Sequence, residues 1–231
     1  MISTVPVMSA HYAFFDVDGT VIDYTSMLSF LEFLEAHDGK RWTPGRLWAR
    51  LQLRLLRKWV SREYLNACYY RLYAGRSVAA VTELGRQWFA TRDRRPRQRF
   101  NDAVVERLQW HQEQGHEVAF VSGGFEACLR PIATFLGVHH VLCCQMAHSR
   151  GVFSGKLSQP PTLGSGKALA IERFLQERHG TPADCWYAYG DHYSDLPMLR
   201  LARHPVVVAG DADLERYARE HEWLILRKET P

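Results

Sequence analysis

"FFDVDGTVID", residues 14–23, sets two aspartates one residue apart at the end of an apolar run. Carboxylates this close raise each other's pKa and cost folding energy, so their pairing at a strand end points to chemistry. The surrounding "HYAFFDV" (11–17) reads as a buried strand. Five more short, near-continuous apolar runs follow: "HEVAFVSG" (116–123), "HHVLCCQ" (139–145), "CWYAYGD" (185–191), "HPVVVAG" (204–210) and "EWLILR" (222–227). Runs of this kind suit strands covered on both faces. Helical spacing fills roughly 101–114, 124–136, 165–179, 195–202 and 212–220 between them. The alternation predicts an α/β fold built on a doubly wound parallel sheet. "GVFSGKL" (151–157) breaks the pattern and reads as a small hairpin.

Residues 25–100 differ. "MLSFLEFLEA", "GRLWARLQLRLLRKWVSREYLNACYYRLYAG" and "SVAAVTELGRQWFATR" carry helical apolar spacing and no strand signal. The expected organisation is a core of 1–24 with 101–231 and a helical domain of 25–100 inserted after the first strand. Charge follows the same division. Lys40 to Arg99 holds 16 basic residues against Glu63, Glu83 and Asp93, while the whole chain is only +4. Two different surfaces are joined. "GRLWARLQLRLLRKW", with Trp42, Trp48 and Trp59 close by, has the look of an interfacial helix. A solvated arginine face over a small helical core is preferred, so peripheral membrane contact is not favoured. "RDRRPRQR" (92–99) falls at the return from insert to core and reads as a charged hinge, with no nucleic acid expected.

At 231 residues, 46% hydrophobic and 23% charged, the composition is that of a soluble globular protein. "MISTVPVMSA" lacks the features of a signal peptide, and no run approaches 18 apolar residues. The five cysteines form no C-x-x-C pair, which fits a reducing, cytoplasmic setting. His111 and His116, like His139 and His140, lack zinc spacing and read as surface or loop residues.

In a doubly wound sheet the ligand lies at the carboxyl ends of the strands. The first strand ends in Asp16-Val17-Asp18, the second in Ser122-Gly123-Gly124, and the fourth in Gly190-Asp191, with Asp195 four residues on. Three carboxylates near one rim repel unless a cation sits among them, and an all-oxygen donor set favours Mg²⁺. A carboxylate can attack phosphorus, and a neighbour can serve as acid and base. Thr20 and Ser122 offer hydroxyls, and amides around Gly19, Gly123 and Gly124 can hold phosphate oxygens. Lys167, at the start of the helix in "LGSGKALAIERFL", can balance the phosphoryl charge.

"DVDGT", "VSGG", Lys167 and "YGDHYSD" together resemble, in order, the four motifs of the haloacid dehalogenase superfamily of phosphatases. The helical insert resembles the C1-type cap of its phosphoserine-phosphatase-like subfamily IB. The resemblance implies Asp16 as nucleophile and metal ligand, and Asp18 as general acid/base whose carbonyl also touches the metal. It implies Thr20, Ser122 and Gly123 at the phosphate, Lys167 between nucleophile and phosphate, Asp191 on Mg²⁺ and Asp195 in support. The expected activity is Mg²⁺-dependent hydrolysis of a small phosphorylated metabolite through an aspartyl-phosphate. Where the phosphoserine phosphatases carry an amine-binding glutamate, this chain offers Thr25 or Ser26, which weakens a phosphoserine assignment. A lipid-phosphate phosphatase, a phosphotransferase to an acceptor alcohol, and a non-catalytic anion- or nucleic-acid-binding protein remain as alternatives. His192 stands where small residues are common in the family and is expected to be a partly exposed loop histidine.

Overall fold

The computed structural model describes residues 11–38, 62–92, 100–179 and 186–228. The basic stretch 45–59, nearly all of the arginine run 92–99, and Cys185 lie outside them. Six strands form one parallel sheet: β1 (Tyr12–Phe15), β2 (Glu117–Phe125), β3 (His140–Cys144), β6 (Trp186–Gly190), β7 (His204–Val208) and β8 (Leu224–Leu226). Their order is β3-β2-β1-β6-β7-β8. β1 is thus central, with Tyr12 opposite Glu117 on one side and Trp186 on the other.

All four residues of β1 are buried, and side chains alternate across a strand. Tyr12 and Phe14 join a cluster with Ile171 and Leu175 of α6 (Ser165–His179), Met198 of α7 (Leu196–Leu201) and Leu214 of α8 (Ala212–Glu220). Ala13 and Phe15 face the opposite cluster, with Leu108 of α4 (Asp102–Glu113) and Ile132 of α5 (Glu126–Phe135). The near-continuous apolar runs follow from this double cover.

Between β1 and α4 come α1 (Ser26–Asp38), α2 (Arg62–Arg71) and α3 (Val78–Arg92). Phe30, Tyr70 and Trp88 from these helices, and Tyr73 in the turn after α2, belong to the same hydrophobic cluster as Phe15, Phe120 and Phe125 of the sheet. The insert therefore packs on the sheet through shared aromatics. α3 reaches α5 at Gly85, where an added Cβ would lie 2.0 Å from the Ala127 carbonyl oxygen.

Three expectations need correction. The second strand, expected to end at Gly123 with a helix from 124, is longer: β2 runs on to Phe125 through a register shift between Ser122 and Phe125, a bulge in the ladder. "GVFSGKL" supplies only half of the hairpin, since β5 (Val152–Leu157) pairs with β4 (Met146–Ser149). His111 is fully buried. Its Nδ1 lies 2.7 Å from His116 Nδ1 and its Nε2 2.9 Å from the Tyr189 hydroxyl.

Burial holds the His111 imidazole down at about 3, below its ordinary 6.5, with His116 and Arg107 adding to the effect. The unfolded chain binds this proton more readily than the fold does. Stability contributed by neutral His111 is therefore complete above pH 6.5 and is lost as pH falls towards 3. The expected slope is about 1.4 kcal/mol per pH unit for one proton. Urea unfolding at pH 4 to 6.5 should show His111→Gln with a slope shallower than wild type by that amount. Identical slopes would rule out His111 as the titrating group.

Candidate active site

Asp16 continues the alternation of β1, on the parity of Tyr12 and Phe14, and so turns toward the face that carries α6. Its N–H extends the ladder by donating to the Tyr189 carbonyl at 2.9 Å. Lys167, in the first turn of α6, is buried and donates from Nζ to Asp16 Oδ1 at 2.5 Å and to Asp195 Oδ1 at 2.7 Å. Asp195 closes a short 3₁₀ turn, Tyr193–Asp195, whose start is capped by His192 Nδ1 accepting from the Ser194 N–H. Residues from β1, α6 and the loop after β6 thus meet at one rim.

Carboxylate oxygens of Asp16, Asp191 and Asp195 lie within 4.8 Å of one another. When all three are ionised, the Lys167 ammonium offsets one charge and leaves two in excess. Burial pushes the Asp16 carboxyl up, against the opposing pull of Lys167. Asp191 is raised as well, by burial and then by Asp195. A hard divalent cation fits this all-oxygen donor set and cancels the excess.

Asp18 lies beyond the strand, in the turn around Gly19, and its side chain is held apart from that cluster. Oδ1 accepts the Ser26 N–H at 3.0 Å at the start of α1. Burial raises its carboxyl to about 6 despite that bond. Gly19 adopts φ +91°, and a Cβ there would come within 2.3 Å of Asp191 Oδ2. A left-handed backbone at so close an approach leaves only glycine without strain.

Thr20 is fully buried and donates to Asp191 Oδ1 at 3.1 Å. Ser122, Gly123 and Gly124 line the same cavity as Lys167. Ser122 Oγ accepts the Gly124 N–H at 3.1 Å. His192, half-exposed, stands at the rim with Nε2 3.7 Å from Asp211 Oδ2.

Sequence reading missed two residues. Asn66 Nδ2 and the Tyr70 hydroxyl, one turn apart on α2, both donate to the Gly123 carbonyl, at 3.0 and 2.9 Å. They tie the helical insert to the bulged strand end. The spacing i, i+4 places them on one helix face, but nothing in the sequence names a partner 50 residues away. The cavity bounded by these groups has a volume of about 410 Å³.

The family model for haloacid dehalogenase-like hydrolases matches residues 13–200, a span that contains Asp16, Asp18, Ser122, Lys167, Asp191 and Asp195. The chain belongs to that family of hydrolases. It is 32% identical over 217 residues to a phosphoserine phosphatase of Mycobacterium tuberculosis, covering 92% of this chain and 69% of that relative. A solved structure of a protein with unknown function from Bordetella pertussis Tohama I superposes with a TM-score of 0.80 at 20% identity, over 94% of this chain and 98% of that one. A phosphoserine phosphatase with a phospho-aspartyl intermediate analogue gives a TM-score of 0.61 at 14% identity, over 96% and 94%. These two structures share the fold. No helix among the described residues is long and apolar enough to cross a membrane.

Proposed function

We propose that the chain is a Mg²⁺-dependent phosphomonoesterase that hydrolyses a small organic phosphate through an aspartyl-phosphate on Asp16. The observation that supports this most is the buried Lys167 ammonium, bonded at once to Asp16 and Asp195 beside a cluster of three carboxylates. A lysine so placed restrains the attacking carboxylate and offsets phosphoryl charge.

In the first step an Asp16 carboxylate oxygen forms a bond to phosphorus as the bond from phosphorus to the ester oxygen breaks. Asp18 gives its proton to the departing alcohol oxygen. In the second step Asp18, now a carboxylate, takes a proton from water. The resulting hydroxide attacks phosphorus and the Asp16–phosphorus bond breaks, restoring both aspartates. A side chain raised to about 6 is suited to carry a proton both ways near neutrality. The Gly123 amide at the bulge and the Ser122 hydroxyl, itself held by the Gly124 N–H, bind phosphate oxygens. Asp16, Asp191 and the Asp18 carbonyl would hold Mg²⁺, with Asp195 in support. When bound, the ion draws off negative charge from the carboxylates and the phosphate. Residues 25–100 act as a cap that excludes water and sets specificity.

The test is phosphate release from an aryl phosphate. Chelation with EDTA should abolish release and excess Mg²⁺ should restore it. Equal rates in EDTA, or no release from any ester, would overturn the proposal.

A further inference from the structure

The cavity has two chemically different halves. One is the polar floor of carboxylates, Lys167 and the β2 bulge, with His192 and Ser194 beside them. The other is built by the starts of α1 and α2 and by the loop before α6: Met27, Leu28, Leu65 and Leu163, with Asn66 and Tyr69. Among the described residues, none on this second wall is charged. Its two buried polar side chains are already engaged. Asn66 gives Nδ2 to the Gly123 carbonyl and takes a long contact from Cys144 Sγ on Oδ1. The Tyr69 hydroxyl is paired with that of Tyr73 at 2.6 Å. Thr25 is exposed at the mouth, and Leu28 is 40% exposed there.

An ammonium or a carboxylate pressed against this wall would lose water and find no charged partner among its described residues, which is costly. An aliphatic group would gain by covering Leu28, Leu65 and Met27. We infer that the substrate is the phosphate monoester of an uncharged, aliphatic alcohol, its carbon chain lying on the Met27–Leu28–Leu65–Leu163 wall. This rests on the phosphomonoesterase reading and narrows it: phosphoserine and amino-alcohol phosphates become poor substrates. The same aliphatic chemistry is available from a short water-soluble alcohol or from a lipid.

The test uses the full chain with Mg²⁺ and compares kcat/KM for n-propyl phosphate and phosphoethanolamine. These differ only by a methyl in place of an ammonium, and the ammonium makes the better leaving group. The wall predicts a preference for the propyl ester of at least about tenfold, and a rise of about fourfold per added methylene from ethyl to butyl. The two sources separate with longer chains. For a soluble substrate the gain ends once the chain outgrows the cavity; for a lipid it continues into dodecyl phosphate and phosphatidic acid in mixed micelles. Leu65→Glu, which sets a carboxylate in the wall, should swing the propyl-to-ethanolamine ratio by at least about tenfold toward the amine. A ratio taken within one enzyme does not depend on how much of the variant folds.

Phosphoethanolamine or phosphoserine turned over as well as the propyl ester overturns this inference and leaves the phosphatase standing. No release from any ester, the aryl phosphate included, overturns the phosphatase and this inference with it.

Discussion

Asp16→Asn is expected to lower kcat for phosphate release by about 10⁴-fold or more, the scale lost when a covalent nucleophile is removed. The amide is nearly isosteric, and its oxygen can still accept the Lys167 bond. It also removes one of the two excess charges at the rim. Stability should therefore part from activity. In EDTA the melting temperature of Asp16→Asn should equal or exceed that of wild type, because a buried repulsion has been relieved. The rise in melting temperature that Mg²⁺ brings should shrink, because one ligand is weakened. A variant within tenfold of wild-type kcat would exclude Asp16 as the nucleophile. One that merely unfolds would show as a lowered melting temperature.

Lys167→Met has the opposite signature, with both quantities falling. The lysine is the one cation in contact with Asp16 and Asp195 among the described residues. Its side chain is 5% exposed, against 6% and 3% for the two carboxylates. Removing one member of a buried charged network leaves the others desolvated and unpaired, at a cost of about 3–5 kcal/mol. For a chain of this size that corresponds to a melting temperature lower by roughly 10 °C in EDTA. Adding Asp195→Asn should recover part of the loss, a coupling that a double-mutant cycle measures directly. Activity should fall by about 10²–10³-fold at least, since charge stabilisation at the phosphate is lost with the lysine. Calorimetry showing Lys167→Met as stable as wild type would mean that the carboxylates are protonated in the fold and need no counter-charge.

The strands and the rim they form were readable because each rests on local patterning. Six apolar runs announced six strands, and three of them ended in residues that line one cavity. Asp16 could be placed because a strand alternates, and Lys167 because it opens a helix. What escaped depends on meetings between distant segments. The β2 bulge is defined by its register with β3. Thr20 is given its orienting task by Asp191, 171 residues away. Asn66 and Tyr70 look like ordinary members of a tyrosine-rich helix until Gly123 is brought beneath them. His111 was the avoidable miss, since it completes the stripe Val104–Leu108–His111 on the buried face of α4. A histidine at i+7 of an apolar stripe is a core residue in need of a partner, and the Tyr189 hydroxyl is that partner.

The position of β1 also has a cost in time. The strand that carries Asp16 meets Glu117 on one edge and Trp186 on the other, so both of its pairings span more than a hundred residues. High contact order slows folding, because the entropy of closing large loops is spent before the ladder returns anything. During synthesis the segment around Asp16 leaves the ribosome before its partners and waits, apolar and with both edges open, for β2 and later β6. Throughout that interval it is a candidate for mispairing and for chaperone capture. The paired aspartates are made before either of the strands that flank them, and the site around them forms only once the last of those partners has arrived.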